Sequence, residues 1–113
     1  MMFDWQAYRQ QIAQRMADIG RASPDTLRGY RALSSAGDKA DLLGARTREL
    51  IAIAVGVTRQ CDGCIAVHTD AALKAGATKD EIIEALGVAV AVNAGAAFVF
   101  STRAVDAVLS VDA

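Results

Sequence analysis

Both cysteines and the only histidine of the chain fall within one short stretch, Cys61-Asp62-Gly63-Cys64-Ile65-Ala66-Val67-His68. Random placement rarely brings two nucleophiles and a proton acceptor together in this way. On a helix, positions 61, 64 and 68 share one face. Residues three apart on a helix have Cα atoms about 5 Å apart, inside the roughly 4.4 to 6.8 Å that a disulfide tolerates, so the pair can open and close with little backbone movement. A helix start adds unpaired N–H groups and a dipole that favour an anion, and such a position lowers a free thiol from about 8.5 by a unit or more. The thiolate is the form that attacks peroxides and disulfides. His68, one turn beyond Cys64, is placed to accept a proton or stabilise that thiolate.

Two Cys and one His are also zinc ligand types. Along a continuous helix, however, Cys61 and His68 stand about 10.5 Å apart and cannot easily converge on bonds of about 2 Å. No second cysteine pair completes a structural site, so neither a metal nor a cofactor is expected. The blander alternative is two buried cysteines packed as small apolar residues beside a satisfied core histidine. The polar and flexible Asp62-Gly63 between them argues against deep burial, and thiol redox chemistry is the expectation.

The elements that must hold this stretch are read from a helical apolar period along nearly the whole chain. Trp5, Tyr8, Ile12, Met16 and Ile19 form one stripe of a first helix that Asp4 can cap and Gly20 is expected to end. Ser23-Pro24 starts a second helix through Leu27, Tyr30 and Leu33, with a fraying end predicted at Ser34 to Asp38. A third, strongly apolar helix spans about Arg46 to Val57. A fourth runs from about Cys61 to Ala75 and closes at Gly76, which takes a left-handed conformation without steric penalty. Thr78-Lys79-Asp80-Glu81 reads as a capping box for a fifth helix through Ile82, Leu86 and Val90, broken at Asn93-Ala94-Gly95 before a sixth carrying Phe98, Val99, Val105 and Leu109. The expected fold is all-α, about six helices in one domain over residues 1–113.

With 12 basic against 13 acidic residues, the net charge of −1 gives no electrostatic reason to expect nucleic acid or an anionic membrane as partner. The start, Met1 to Gln6, lacks the basic stretch and apolar run of a secretory signal, so a cytoplasmic protein is expected. Ala85 to Thr102 is uncharged and near the minimum of about 18 residues for a spanning helix. Its Ala, Val and Gly content and the Asn93-Ala94-Gly95 interruption favour a buried helical hairpin or a subunit interface instead.

Around these residues the chain resembles the alkylhydroperoxidase D-like, or carboxymuconolactone decarboxylase-like, family. That family's core reads Glu, eleven residues, Cys, two, Cys, three, His, and Glu49, Cys61, Cys64 and His68 stand at this spacing. Ala75-Gly76-Ala77-Thr78 before Asp80-Glu81-Ile82, then Glu84-Ala85-Leu86 and Asn93-Ala94-Gly95-Ala96, extend the likeness, which covers about residues 42–108 and leaves helices over 4–40 in front. The resemblance implies a homo-oligomer built on trimers and often hexameric, and a peroxidase or disulfide reductase working through a cycling disulfide with a dithiol or thiol-protein reductant. It makes Cys64 the peroxidatic cysteine, Cys61 its resolving partner, and Glu49 and His68 the proton relay. Some peroxidase members carry a histidine between the two cysteines, where this chain has Gly63. Two further functions stay open: a non-catalytic thiol redox sensor or adaptor, and a decarboxylase-like enzyme acting on a lactone acid without thiols. Glu49 shares its helix face with Ala52, Ile53 and Gly56, so that face is expected to be partly buried.

Overall fold

The structure, a computed structural model, describes residues 1–112; Ala113, the end of the expected domain range, lies outside them. Helix α1 spans Trp5–Ala22 and is capped by Asp4, whose carboxylate accepts from the Ala7 N–H at 3.1 Å. Gly20 does not end it. A Cβ on Gly20 would stand 2.3 Å from Leu27 Cδ2, so this glycine lets the next helix fold back closely. Ser23 is both the C-cap of α1 and the N-cap of α2 (Pro24–Ala40), with Pro24 in the first helical turn, where its missing N–H costs nothing.

The predicted fraying of α2 over Ser34 to Asp38 is also corrected, because α3 (Ala45–Thr58) holds that end. The Arg48 guanidinium donates to Asp41 at 2.8 Å and to Asp38 at 3.1 Å, and its stem lies 2.7 Å from where a Cβ on Gly37 would be. These contacts, the Asp41 hydrogen bond first, raise the Arg48 pKa further. Helix α2 therefore runs to Ala40 and stops at Asp41, in the left-handed conformation at φ 46°.

Helices α3 and α4 (Asp62–Lys74) are joined by a tight turn. Gln60 is left-handed at φ 53°, its N–H donates to the Val57 carbonyl, and the Cys61 N–H donates to the Gly56 carbonyl at 3.0 Å. This is a Schellman ending with glutamine in the usual glycine place. The same pattern closes α4, now with Gly76 at φ 94° as expected: Gly76 N–H to Leu73 and Ala77 N–H to Ala72. The capping box is present too, Glu81 N–H donating to Thr78 Oγ1 at 3.1 Å and Thr78 N–H to Glu81 Oε1 at 3.0 Å.

Beyond the capping box, a single helix replaces the predicted pair. Helix α5 is continuous over Lys79–Asp112, so the described residues form five helices, and the hairpin expected within Ala85 to Thr102 is one unbroken run. Gly95 keeps a helical backbone, and Asn93 turns its side chain away from any break, donating from Nδ2 to the Ala89 carbonyl at 2.7 Å and to Thr58 Oγ1 at 2.8 Å. Alanine-rich sequence carries the helix across a glycine at a cost of about 1 kcal/mol.

The core sits where α3, α4 and the first half of α5 meet. Ile53, Ala72 and Ala77 are buried, with Leu50, Val57, Ile82 and Leu86 packed against them. The radius of gyration is 18.6 Å, against about 13 Å for a compact chain of 100 residues, and the longest dimension is 59 Å. Elongation comes from α5, whose second half leaves the core.

Candidate active site

The turn before α4 makes Cys61 the N-cap rather than a residue inside the helix. Its backbone is extended (φ −102°, ψ 98°), and its sulfur accepts from the Cys64 N–H at 3.1 Å, one of the orphan donors of the first turn. Cys64 is thus three residues into the helix start, with its Cα 5.2 Å from that of Cys61, and the two are joined as a disulfide. The pairing predicted from spacing is present, with Cys61 capping the helix face it was expected to share.

Two glycines press this turn between its neighbours. A Cβ on the buried Gly56 would stand 2.9 Å from Cys64 Cβ, so α3 approaches α4 directly under the cysteine. A Cβ on Gly63 would stand 2.9 Å from Ile12 Cδ1, so α1 covers the turn from the other side. The Arg9 guanidinium adds a hydrogen bond to the Ala66 carbonyl at 3.2 Å, fastening α1 to α4.

Glu49 enters from α3, two turns before Gly56, and His68 from α4, one turn after Cys64. His68 Nδ1 and Glu49 Oε2 are 2.7 Å apart, and both side chains are about 30% exposed (31% and 27%), half-buried as expected for the Glu49 face. When Glu49 is an ionised carboxylate it can only accept, so Nδ1 donates this bond and Nε2 is left free of Glu49. All four residues named from sequence line one cavity of about 480 Å³, together with Ile12 and Met16 of α1 and Tyr30 and Ser34 of α2. The last four were not singled out in sequence for this role. Ile12 and Met16 were visible as part of an apolar stripe, but a stripe does not say which element it faces. No group of three or more His, Cys, Asp or Glu able to hold a metal is found among the described residues.

A family model described as the carboxymuconolactone decarboxylase family matches residues 24–107. The chain belongs to this family. A relative from Haemophilus influenzae, named only as an uncharacterized protein, is 42% identical over 107 residues, 95% of each chain. Another, uncharacterized protein 4 in the cox locus of Paracoccus denitrificans, is 34% identical over 97 residues, 86% of this chain and 87% of its own. The crystal structure of an apo carboxymuconolactone decarboxylase family protein from Legionella pneumophila superposes with a TM-score of 0.74 at 31% identity, covering 90% of this chain and 91% of that one. The family match begins at the start of α2 and so reaches further back than the resemblance over 42–108, while α1 stays outside it. The family includes enzymes, and the all-α fold with a Cys-x-x-Cys disulfide is compatible with redox work.

Proposed function

We propose that the protein is a thiol-dependent peroxidase or disulfide reductase that cycles Cys61 and Cys64 between dithiol and disulfide. The observation that carries this reading is the Glu49–His68 hydrogen bond in the same cavity as the Cys61–Cys64 pair. In the peroxidase cycle the Cys64 thiolate attacks the outer oxygen of a hydroperoxide. The O–O bond breaks, the alcohol leaves with a proton, and Cys64 becomes a sulfenic acid. The Cys61 thiol then attacks that sulfur and expels water, leaving the disulfide. Two electrons have passed from the dithiol to the peroxide, and a dithiol or thiol-protein reductant restores them. His68 takes the thiol proton on Nε2 and returns it to the leaving oxygen, while Glu49 fixes the tautomer and balances the imidazolium charge. No cofactor enters this cycle, and it suits the cytoplasm, where reductants keep disulfides transient.

We also propose that the working form is a homo-oligomer, a trimer or hexamer. Support comes from α5: beyond Asn93, Phe98, Val99, Phe100, Val105 and Leu109 are all exposed in the single chain, Phe98 by 80%. This helix is also long and apolar enough to cross a membrane. The polar Thr102, Arg103 and Asp106 partway along it favour packing against other copies.

Peroxide consumption with a dithiol donor, compared between wild type and the Cys61→Ser/Cys64→Ser double variant, tests the function. Turnover that vanishes in the variant supports the proposal. Disulfide formation without turnover would make the protein a redox sensor or adaptor, and lactone-acid decarboxylation surviving loss of both thiols would make it a decarboxylase. Sulfenic acid trapped in Cys61→Ser after peroxide identifies Cys64 as the attacked thiol, and trapping only in Cys64→Ser would reverse the two roles.

A further inference from the structure

We propose that Ile12 of α1 is the specificity-determining residue of the redox pocket, setting how large a group can reach Cys64; this deepens the thiol redox reading and rests on it. Of the two positions between the cysteines, Gly63 carries no side chain, and the space above it is taken by Ile12, whose Cδ1 lies 2.9 Å from where a Cβ on Gly63 would be. Ile12 therefore stands directly over the turn that bears both sulfurs, on the cavity side, with Met16 one turn further along the same helix. The two differ in stiffness. Methionine has three rotatable bonds and yields to a ligand, whereas a β-branched isoleucine on a helix is confined largely to one χ1 rotamer. Of the two apolar walls that α1 contributes, Ile12 is the fixed one.

Helix α1 is also positioned to act as a wall rather than a loose arm. The Arg9–Ala66 hydrogen bond at 3.2 Å and the close fold-back at Gly20 onto Leu27 hold it against α4 and α2. It ends at Ala22, whereas the family match begins at residue 24, so this wall is built outside the segment matched to the family. The cysteines, Glu49 and His68 come from the matched segment, as do Tyr30 and Ser34 of α2 in the same cavity, and α1 adds the wall that stands over Gly63.

The test uses the reduced full-length chain and two pairs of probes. In the Cys61→Ser background, Cys64 is alkylated with iodoacetamide and with the much bulkier N-pyrenylmaleimide. With both cysteines present, disulfide formation in a single turnover is timed with hydrogen peroxide and with cumene hydroperoxide. Ile12→Ala should raise the large-to-small rate ratio roughly tenfold or more in both pairs, as expected for removing side-chain volume from an apolar wall, and Ile12→Phe should lower it. A ratio unchanged in Ile12→Ala at wild-type helicity overturns the proposal. So does equal acceleration by small and large probes, which would mean that α1 swings away as a whole. Should Ile12→Ala lose helicity, Ile12→Val removes only the methyl over Gly63, and a ratio rising in the same direction supports the proposal while an unchanged one overturns it. If neither peroxide oxidises the wild type, the peroxidase reading fails, and the alkylation pair still decides Ile12.

Discussion

The redox turn and the second half of α5 are both rich in small and apolar residues, and they end in opposite surroundings. At the turn, each glycine is matched by a neighbour of the same chain: Gly56 by Cys64, Gly63 by Ile12, each at 2.9 Å from the missing Cβ. In α5, Gly87 and Gly95 have nothing within 4 Å of theirs, and the residues from Ala91 to Asp112 are exposed throughout. A small residue permits close approach but does not provide the partner. The chain therefore holds a whole candidate site and only part of a hydrophobic core; in the assembly proposed above, a second copy would supply the missing part. If that contrast is right, changes at the site should cost activity and leave assembly alone, while changes in distal α5 should do the reverse.

The largest effect is expected at Glu49. Glu49→Gln removes the charge that faces His68 Nδ1 across 2.7 Å but keeps the side chain's shape. Peroxide turnover should fall about 10 to 1000-fold, in the range for losing a positioned acid or base, with circular dichroism, oligomer mass and Cys61–Cys64 disulfide formation all retained. An unchanged rate in the folded variant would take Glu49 out of the chemistry and leave Cys61, Cys64 and His68 to carry it.

Distal α5 supplies the converse. Phe98→Asp replaces a side chain that is 80% exposed in the protomer with a charged one, so it should cost the single chain little. In an interface it would be severe, raising the dissociation constant by roughly 30-fold or more, as for loss of a buried aromatic anchor. Light scattering at falling concentration in detergent-free buffer reads this directly. An assembly as tight as wild type would place the interface elsewhere, and wild-type protein that stays insoluble until detergent is added would favour a membrane partner for the helix.

Gly56→Ala measures how tightly the site is packed. The new Cβ would meet Cys64 Cβ at 2.9 Å, and that atom is fixed by its backbone and cannot swing aside. Overpacking of this kind costs about 1 to 3 kcal/mol, seen as a melting point lower by several degrees. A melting point equal to wild type would show that α3 and α4 have slack at the cysteine.

These contrasts also explain what could be read from the sequence. The meeting of the four candidate residues in one cavity was legible because local spacing groups Cys61, Cys64 and His68, and the family spacing added Glu49 from the neighbouring helix. Helix ends with local chemistry were legible too: Asp4, Pro24, Gly76, and Thr78 with Glu81, whereas the Ser23 hydroxyl pairs with Thr26 Oγ1 at 2.7 Å and does not cap the backbone N–H groups of α2. The failures lie where a residue's meaning depends on a distant neighbour. In sequence Gly20 has the form of a stop, yet it is a close-approach site for Leu27; Asn93-Ala94-Gly95 has the form of a break, yet the helix spans it, because Asn93 finds acceptors on Ala89 and Thr58. Ile12 and Met16 belonged to a stripe whose facing partner only the fold reveals.

The smallest effect is expected at the other end of α5, where the chain does supply its own partners. Glu81 accepts from the Thr78 N–H at 3.0 Å and lies 3.8 Å from Arg46. Its carboxyl is held below the ordinary value of 4.5, first by that Thr78 backbone hydrogen bond; desolvation, the next largest influence, opposes it, and the Thr78 side chain and Arg46 lower it further. The folded state therefore binds this proton less readily than the unfolded chain. The contribution to stability is present in full above the unfolded carboxylate pKa and is lost as pH falls through the lowered folded one. Asp70, lowered mainly by its hydrogen bond from Lys74, acts in the same direction. Glu81→Gln keeps an oxygen acceptor for Thr78 but cannot titrate, so urea unfolding between about pH 3 and 7 should show a flatter acid limb than wild type, the remaining slope including that of Asp70. Assembly at neutral pH should not change, because the capping box lies at the end of α5 that the chain already anchors. An acid limb as steep as wild type would mean that Glu81 does not hold its cap in solution, and the contrast between the anchored and unanchored halves of α5 would weaken accordingly.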